Sequence, residues 1–395
     1  MTSQGLSASE RYSGALMNTF GTPKLVLAKG DGTHVWDENG KAYLDLLGGI
    51  AVNALGHAHP AVVAAVAQQF GALGHISNFF ASRPQIELAE KLRDLVAQTY
   101  AGAGETKVFF TNSGAEANEA AFKITRRTGR THIVAMEGSF HGRTMGALAV
   151  TSKEAYRTPF EPLPGDVTFV PFGDVSALEA AVSESTAAIV VEPIQGEGGV
   201  LVPPAGFLAE VRRIADAHGA LMWVDEIQTG VGRTGSWFAN AEATPDLITL
   251  AKGLGGGFPI GACIGIGRAA SLLEPGNHGT TFGGNPPACA VALAVITTIE
   301  EQGLLDHVAS IGAALTNALA ADPRVSEISG RGLLVGATVS VDAGKVVAAA
   351  QHHGVILNAA TPNRVRLAPA YVLSEADVTE FAEKWSTILD TAEAL

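Results

Sequence analysis

Lys252 stands at the end of a short apolar run, Asp246-Leu247-Ile248-Thr249-Leu250-Ala251, and directly before the glycine-dense turn GLGGG. An ammonium on a flexible stem, delivered by a buried strand into a tight turn, loses its proton when water is excluded and becomes a nucleophile. The plainer alternative is a strand-end lysine reaching back to solvent, and this window alone favours it. Four other stretches shift the balance.

Ser113-Gly114-Ala115-Glu116 lies between the strand-like KVFFTN and a helical pattern. Small residues at a helix start let backbone N–H groups approach an anion such as a phosphate, which the helix dipole also favours. The same spacing reads as a capping box of Ser113 with Glu116. It matches neither G-x-x-x-x-G-K-[ST] nor G-x-G-x-x-G, so a nucleotide loop or dinucleotide fingerprint is not indicated. In SFHGRT, Phe140 beside Arg143 at a strand mouth could stack on a planar ligand while the guanidinium forks onto a carboxylate; a core Phe and a surface Arg are the alternative. His141 there reads as a packing histidine. VEPIQGEGG places Glu192 and Glu197 among glycines, where a carboxylate can bind a cation, pair with an arginine or cap the turn. Asp225 ends the apolar LMWV, so its carboxylate lies low in a sheet and needs a cationic partner. No His or Cys cluster supports a metal in that role.

Pyridoxal phosphate requires all of these features together: a lysine for a Schiff base, a carboxylate that keeps the pyridine nitrogen protonated, and a phosphate cradle. The joint occurrence is far less expected by chance than any one motif.

The elements that must position these residues follow from periodicity. Residues 25–52 alternate short strand-like runs with the turns GDG and ENG, which predicts an antiparallel meander; residues 1–20 are polar, read as mobile or draped over a neighbour. HPAVVAAVAQQFGAL and SRPQIELAEKLRDLVAQTY carry helical spacing with proline near each start. From Lys107, β-branched runs (KVFFTN, THIVAM, DVTFVPF, AAIVVEPI, ALMWVDEI, LITLA, IGACIGIG) alternate with helices. That pattern predicts a mostly parallel sheet covered on both faces, with polar clusters at its carboxyl edge. Two long helical patterns from Asn285, then strands near 325–341, 355–360 and 363–370 and helices near 343–353 and 374–394, predict a small α+β unit sharing its layer with the meander.

At 395 residues and 40.6 kDa the chain can bury a large core. A net charge of −13 argues against nucleic acid or anionic membrane as partner, so cationic groups in clefts are specific. Two cysteines, Cys263 and Cys289, sit in apolar settings without metal spacing and read as reduced core thiols. No signal peptide or membrane span is expected, and the compartment expected is the cytoplasm.

The blocks SGAEANEAAFK, SFHGRT, VEPIQGEGG, VDEIQTGVGRTG, TLAKGLGGGFPIGA and HGTTFGGNP occur in this order over nearly the whole chain. They resemble the successive signatures of class III aminotransferases, and GGIAVNALGHAHP with GHISN is similar to the acetylornithine aminotransferase branch. The resemblance implies an α/β, fold-type I (aspartate aminotransferase-like) pyridoxal-phosphate enzyme. Its large domain, with a mostly parallel sheet, would span 56–290, and a small α+β domain would be built from 1–55 and 291–395. It implies that Lys252 forms the Schiff base and later shuttles a proton. Asp225 would hold the pyridine nitrogen, Gln228 the ring hydroxyl, Phe140 and Ile227 the two ring faces, and Ser113, Gly114 and Ala115 the phosphate. Thr281 would reach that phosphate from the other subunit, so the active unit implied is a homodimer.

Arg366 matches the family arginine for the α-carboxylate of glutamate or 2-oxoglutarate, and Arg143 the one for a distal carboxylate. Glu197 matches the glutamate that pairs with Arg366 while an ω-amine donor is bound. Asn78 is a candidate for the acyl end, with a turn-forming asparagine as the alternative. Ornithine aminotransferases carry a tyrosine in the stretch matching LLGGIAVN, residues 46–53, and its loss here favours an acylated amine. The reaction implied is transamination of N2-acetylornithine with 2-oxoglutarate to N-acetylglutamate 5-semialdehyde and glutamate in arginine biosynthesis, with succinyl-diaminopimelate as a further substrate. Succinylornithine or 4-aminobutyrate transamination, or an aminomutase or decarboxylase, are the alternatives; a non-catalytic binding protein is a third class, against which Lys252 argues.

Overall fold

The computed structural model describes residues 6–395. Its strands, in chain order, are β1 Leu27–Asp31, β2 His34–Asp37, β3 Ala42–Asp45, β4 Thr106–Thr111, β5 His132–Met136, β6 Asp166–Val170, β7 Thr186–Val191, β8 Leu221–Asp225, β9 Leu247–Leu250, β10 Gly261–Ile266, β11 Val325–Arg331, β12 Leu334–Val339, β13 Val355–Ile356, β14 Asn358–Thr361 and β15 Arg364–Leu367. A seven-stranded sheet runs in the order β4-β10-β9-β8-β7-β5-β6. Every pair from β9 to β6 is parallel, and β10 alone runs against both neighbours. The central strands are mostly apolar and buried along their length, as a sheet covered on both faces requires.

Helices Gly114–Arg126 and Phe207–His218 pack in the layers around this sheet. The second ends at Gly219 in a left-handed conformation (φ 63°), the cap that stops a helix without a Cβ clash. Cys263 and Cys289 are free and buried, and burial pushes both thiols up to about 12. They are core residues, not nucleophiles.

The two ends of the chain build a second layer. The meander β1-β2-β3 is extended by β13, which pairs parallel with β3 at Val355 against Leu44. A separate antiparallel sheet runs β11-β12-β15-β14. Helix Pro286–Glu301, capped by Asn285 accepting from the Ala288 N–H at 3.1 Å, packs on helices Pro60–Ala72 and Arg83–Thr99 and leads into helix Leu304–Ala320. The expected boundary at residue 290 therefore falls inside a continuous helix.

Some elements have no counterpart in the sequence reading. Helix Ala8–Ala15 occupies part of the segment expected to be mobile or draped over a neighbour; a capping box of Ser7 and Glu10 opens it and none of its side chains is buried, so local capping holds it. Residues 1–5 lie outside the described residues. Short helices at Met145–Ala149 and Glu154–Arg157 are below the length that periodicity detects. Among the described residues no single helix is long and apolar enough to cross a membrane; Pro286–Glu301 and Leu304–Ala320 reach that length only together, across a 72° bend.

The carboxyl edge of the parallel strands is where the chemistry collects. Phe140 and His141 follow β5, Glu192 follows β7, Asp225 ends β8 and Lys252 follows β9. Helix Gly114–Arg126, after β4, points its N-terminus at the same place.

Candidate active site

A cavity of about 480 Å³ opens there, lined among others by Ser113, Gly114, Ala115, Phe140, Arg143, Glu192, Asp225, Ile227, Gln228 and Lys252. At its floor Asp225 is buried, 3% exposed. Its Oδ1 accepts from the Ile227 N–H at 3.0 Å; its Oδ2 accepts from Asn118 Nδ2 at 2.8 Å and meets His141 Nδ1 at 2.7 Å. His141 is thus more than packing. One ring nitrogen orients Asp225, while Nε2 is buried with no partner among the described residues. Burial opposes charge on the ring, yet the hydrogen bond to Asp225, its charge and that of Glu192 hold His141 above its ordinary value. Glu192 goes the other way: burial pushes it up to about 7, and its Oε2 accepts from the Phe140 N–H at 3.2 Å. Asn118 sits one helical turn below Gly114 on the inward face, and neither it nor the His141 pairing is visible from local spacing.

Helix Gly114–Arg126 begins at Ser113, whose Oγ accepts from the Glu116 N–H at 3.2 Å. The expected capping box is only half formed. Glu116 does not return to Ser113 but accepts from the Asn112 N–H at 2.9 Å and from Asn112 Nδ2 at 2.8 Å. The Gly114 and Ala115 N–H groups, at the first two helical positions, have no intrahelical acceptor and border the cavity. A Cβ on Gly114 would stand 2.8 Å from Ile227 Cδ1, so glycine is what lets Ile227 close over the helix start. Gly114→Ala is expected to push Ile227 into the cavity and weaken cofactor affinity roughly tenfold, the scale of modest overpacking. Titrating the apoprotein with the cofactor checks this, and unchanged affinity would mean that Ile227 does not border the ring.

Lys252 enters the turn with φ 41°, a left-handed conformation that a residue with a Cβ adopts only under constraint. Burial, followed by the charge of Arg366, lowers its amine to about 8, against the pull of Glu197, Asp225 and Glu192. Arg366, on β15, is 1% exposed; it does not itself line the cavity but touches it through Gln228. Its Nη1 donates to Glu197 Oε1 at 2.6 Å and to Gln228 Oε1 at 3.1 Å, and its Nη2 donates to Asn358 Oδ1 at 2.9 Å. Partial burial works against the Glu197 carboxylate, but the charge and hydrogen bond of Arg366 hold it below its ordinary value. Arg143 is different. It is exposed, stacks on Tyr156 with its Cζ 3.4 Å from the ring centroid, and has no carboxylate partner among the described residues. Val52, from the stretch 46–53, also lines the cavity.

Two expected site residues line a different cavity of the same chain, and of these Thr281 was expected to serve the other subunit. Thr281 and Asn78 line a second cavity of about 810 Å³ with His75, Phe79 and Thr280, and neither borders the cavity of Lys252. Asn78 Nδ2 donates to the carbonyls of Thr280 and Gly283 at 3.2 and 3.1 Å, which fixes the Thr281 loop. Within one chain Asn78 is a loop-pinning residue. His34, Asp377 and Glu380 are close enough to share a metal, but none lines either cavity.

A model of the family described as "Aminotransferase class-III" matches residues 17–389. The chain belongs to the class III aminotransferase family. The acetylornithine aminotransferase of Streptomyces coelicolor is 55% identical over 390 residues, covering 97% of this chain and 96% of that protein. That of Mycolicibacterium smegmatis is 51% identical over 392 residues, covering 98% and 99%. Among solved structures, an ornithine aminotransferase from Toxoplasma gondii superposes with a TM-score of 0.89 at 31% identity, over 98% of this chain and 93% of that one. The N-acetylornithine aminotransferase from Stenotrophomonas maltophilia does so with 0.82 at 36%, over 95% and 98%. This class III aminotransferase therefore has the fold-type I architecture and uses pyridoxal phosphate.

The cavity fits that cofactor on its own terms. Free backbone N–H groups at a helix start suit a phosphate. The apolar Phe140 and Ile227 suit a flat ring, and a buried carboxylate held in place by the Ile227 N–H, Asn118 and His141 suits a protonated ring nitrogen.

Proposed function

We propose that this enzyme transaminates N2-acetylornithine with 2-oxoglutarate, giving N-acetylglutamate 5-semialdehyde and glutamate, in arginine biosynthesis. The carrying observation is the contrast between two guanidinium groups: Arg366, buried and already paired with Glu197, and Arg143, free of any carboxylate among the described residues. Acetylornithine presents a reacting amine with no carboxylate beside it and one carboxylate far from it. Such a donor leaves the Glu197–Arg366 pair closed, so no buried charge is stranded, and directs its own carboxylate to Arg143. Glutamate and 2-oxoglutarate bring a second carboxylate next to the reacting carbon, and Glu197, 36% exposed, can swing away and yield Arg366 to it. Apolar Val52 offers nothing to a free α-amino group, which supports an acylated donor over ornithine.

Pyridoxal phosphate, when bound, would supply a carbonyl carbon to carry the amino group and an electron-withdrawing ring to take up the charge left on the substrate carbon. The chain's own residues do the rest in this reading. Gly114 and Ala115 N–H groups, at the Ser113 turn, would hold the phosphate. Phe140 and Ile227 would cover the ring, Gln228 would meet its hydroxyl, and Asp225, steadied by His141 and Asn118, would keep a proton on its nitrogen. Lys252 Nζ would be the amine that condenses with the carbonyl, with loss of water, and then the base that takes and returns the substrate proton.

A pH dependence follows. With its amine lowered to about 8, Lys252 is neutral in about one molecule in ten at pH 7, against fewer than one in a thousand for an ordinary lysine. Covalent uptake of the cofactor by the apoprotein is expected to rise about tenfold per pH unit below 8 and to level off above it, because only the neutral amine attacks. Stopped-flow absorbance follows the rate; a plateau delayed beyond pH 10 would contradict the assignment.

We further propose a cytoplasmic homodimer in which Thr281, with Asn78 behind it, serves the partner's phosphate site. Phe79, 92% exposed, and Phe282 flank that loop and support a covered surface. Sedimentation at micromolar concentration tests the dimer. In the same reading 56–290 would form the large domain and 1–55 with 291–395 the small one, the passage between them lying within helix Pro286–Glu301. For the reaction, kcat/KM is compared for acetylornithine, succinylornithine, succinyl-diaminopimelate, ornithine and 4-aminobutyrate, with 2-oxoglutarate as acceptor. Acetylornithine is expected to lead. Ornithine or 4-aminobutyrate ahead of it would overturn the assignment, and turnover without 2-oxoglutarate would indicate an aminomutase.

A further inference from the structure

Tyr156 lies in the short helix Glu154–Arg157, outside every block on which the family resemblance rests, yet two site residues, Arg143 and Phe140, and the neighbouring Lys153 meet on its ring. Arg143 Cζ stands 3.4 Å from the ring centroid. Lys153 Nζ stands 4.7 Å from the same centroid and 3.4 Å from Tyr156 Oη. Phe140 meets it edge-on, with ring centroids 6.4 Å apart at 86°. The same guanidinium is 5.7 Å from the Phe140 centroid. Neither Arg143 nor Lys153 has a carboxylate within ion-pair distance among the described residues.

We propose that Tyr156 is the positioning residue that sets substrate specificity at the distal carboxylate: its ring fixes the plane of Arg143 and gathers Lys153 beside it, making a two-cation receptor for a carboxylate remote from the reacting amine. The inference rests on the reading of Arg143 given above.

The physical argument is geometric. A guanidinium is weakly hydrated on its faces and donates only in its plane. Stacking on an aromatic face shields the poorly hydrated side and leaves the in-plane fork free for a planar carboxylate. An exposed arginine without such a platform samples many rotamers, and ordering it on binding costs conformational entropy. Tyr156 removes much of that cost in advance. Because the same ring abuts Phe140, a side chain that covers the cofactor in the proposed arrangement, the receptor is registered to the cofactor plane. The length of the donor between amine and carboxylate is thereby selected.

The test uses the holoenzyme with Tyr156→Leu, Tyr156→Phe and Arg143→Ala. Two donors are compared: N-acetylornithine and N-acetylputrescine, the same acylated amine without the carboxylate. Binding of N-acetylnorvaline, which keeps the carboxylate and lacks the reacting amine, is measured by calorimetry. Tyr156→Leu is expected to raise KM for N-acetylornithine and Kd for N-acetylnorvaline roughly tenfold, with kcat and all constants for N-acetylputrescine within about twofold of wild type. Tyr156→Phe keeps the ring under Arg143 and Lys153 and loses only the long 3.4 Å contact of Lys153 with the hydroxyl, so it is expected to stay within about twofold of wild type. An equal loss with both donors, or equal loss in the Phe and Leu variants, would overturn the proposal by showing a general structural role or a hydroxyl role. If Arg143→Ala impairs N-acetylornithine and Tyr156→Leu does not, the platform is wrong while the role of Arg143 stands. If Arg143→Ala is itself without effect, the reading of Arg143 fails and the platform with it. An unchanged melting midpoint and cofactor absorbance in each variant show that the comparison is made on folded, loaded enzyme.

Discussion

Lys252→Ala is expected to lower kcat/KM for acetylornithine by at least about 10⁴-fold, because one side chain is asked to supply both the covalent attachment and the proton transfer. The loss should fall on kcat. Recognition groups stay in place: Arg366 on Glu197, Arg143 on Tyr156, and Asp225 on His141 and Asn118. Cofactor is still expected to bind through the helix start and Asp225, without the imine absorbance band. Folding should not suffer, since the substitution removes an amine whose charge burial already disfavours and keeps the Cβ that the left-handed backbone at 252 accommodates. Keto-acid release at the wild-type rate by this variant would refute the mechanism. A lowered melting midpoint of the apoprotein would show instead that the lysine is structural.

Arg366→Gln and Glu197→Gln are expected to damage opposite halves of the reaction. Arg366 is buried and its guanidinium is the group proposed to meet the carboxylate beside the reacting carbon of 2-oxoglutarate. Removing one partner of a buried guanidinium–carboxylate contact costs about 3–5 kcal/mol, so amino transfer to 2-oxoglutarate should slow by roughly 10²- to 10⁴-fold. Transfer from acetylornithine should change little, because Glu197, left alone, is exposed enough to be solvated. Glu197→Gln reverses the pattern. It leaves Arg366 charged, buried and without its ion partner whenever acetylornithine is bound, so the donor half slows. Glutamate supplies its own carboxylate, and the acceptor half holds or improves. Single-turnover absorbance changes separate the halves. Equal losses in both halves for either variant would refute the switch.

The parts of the site legible in the sequence share one property: they are local. A strand-end lysine, an aspartate closing an apolar run, and small residues at a helix start are recognisable because strand period, helix caps and glycine turns are properties of neighbouring residues. The parallel sheet was legible for the same reason, through β-branched runs alternating with helices. Where a local signal had two outcomes it misled. Ser113 caps the helix, but Glu116 turns to Asn112, since the chain before Ser113 brings a closer pair of donors. His141 reads as packing in SFHGRT and stands on Asp225 in the fold.

Residue types and local elements were thus determined by the sequence itself: the strand that delivers Lys252, the helix start that faces it, the turn that carries Glu197, and the ordered motif blocks that mark the family. Tertiary structure alone decided which of them touch. Arg366 meets Glu197 because an antiparallel strand near the C-terminus is laid against the turn after β7, and Arg143 meets Tyr156 because a short helix folds back beside it. Thr281 and Asn78 were separated from the Lys252 cavity by the path of the same chain. Contacts between segments so far apart are selected by the packing of whole sheets and helices, and a side-chain spacing carries no record of that choice.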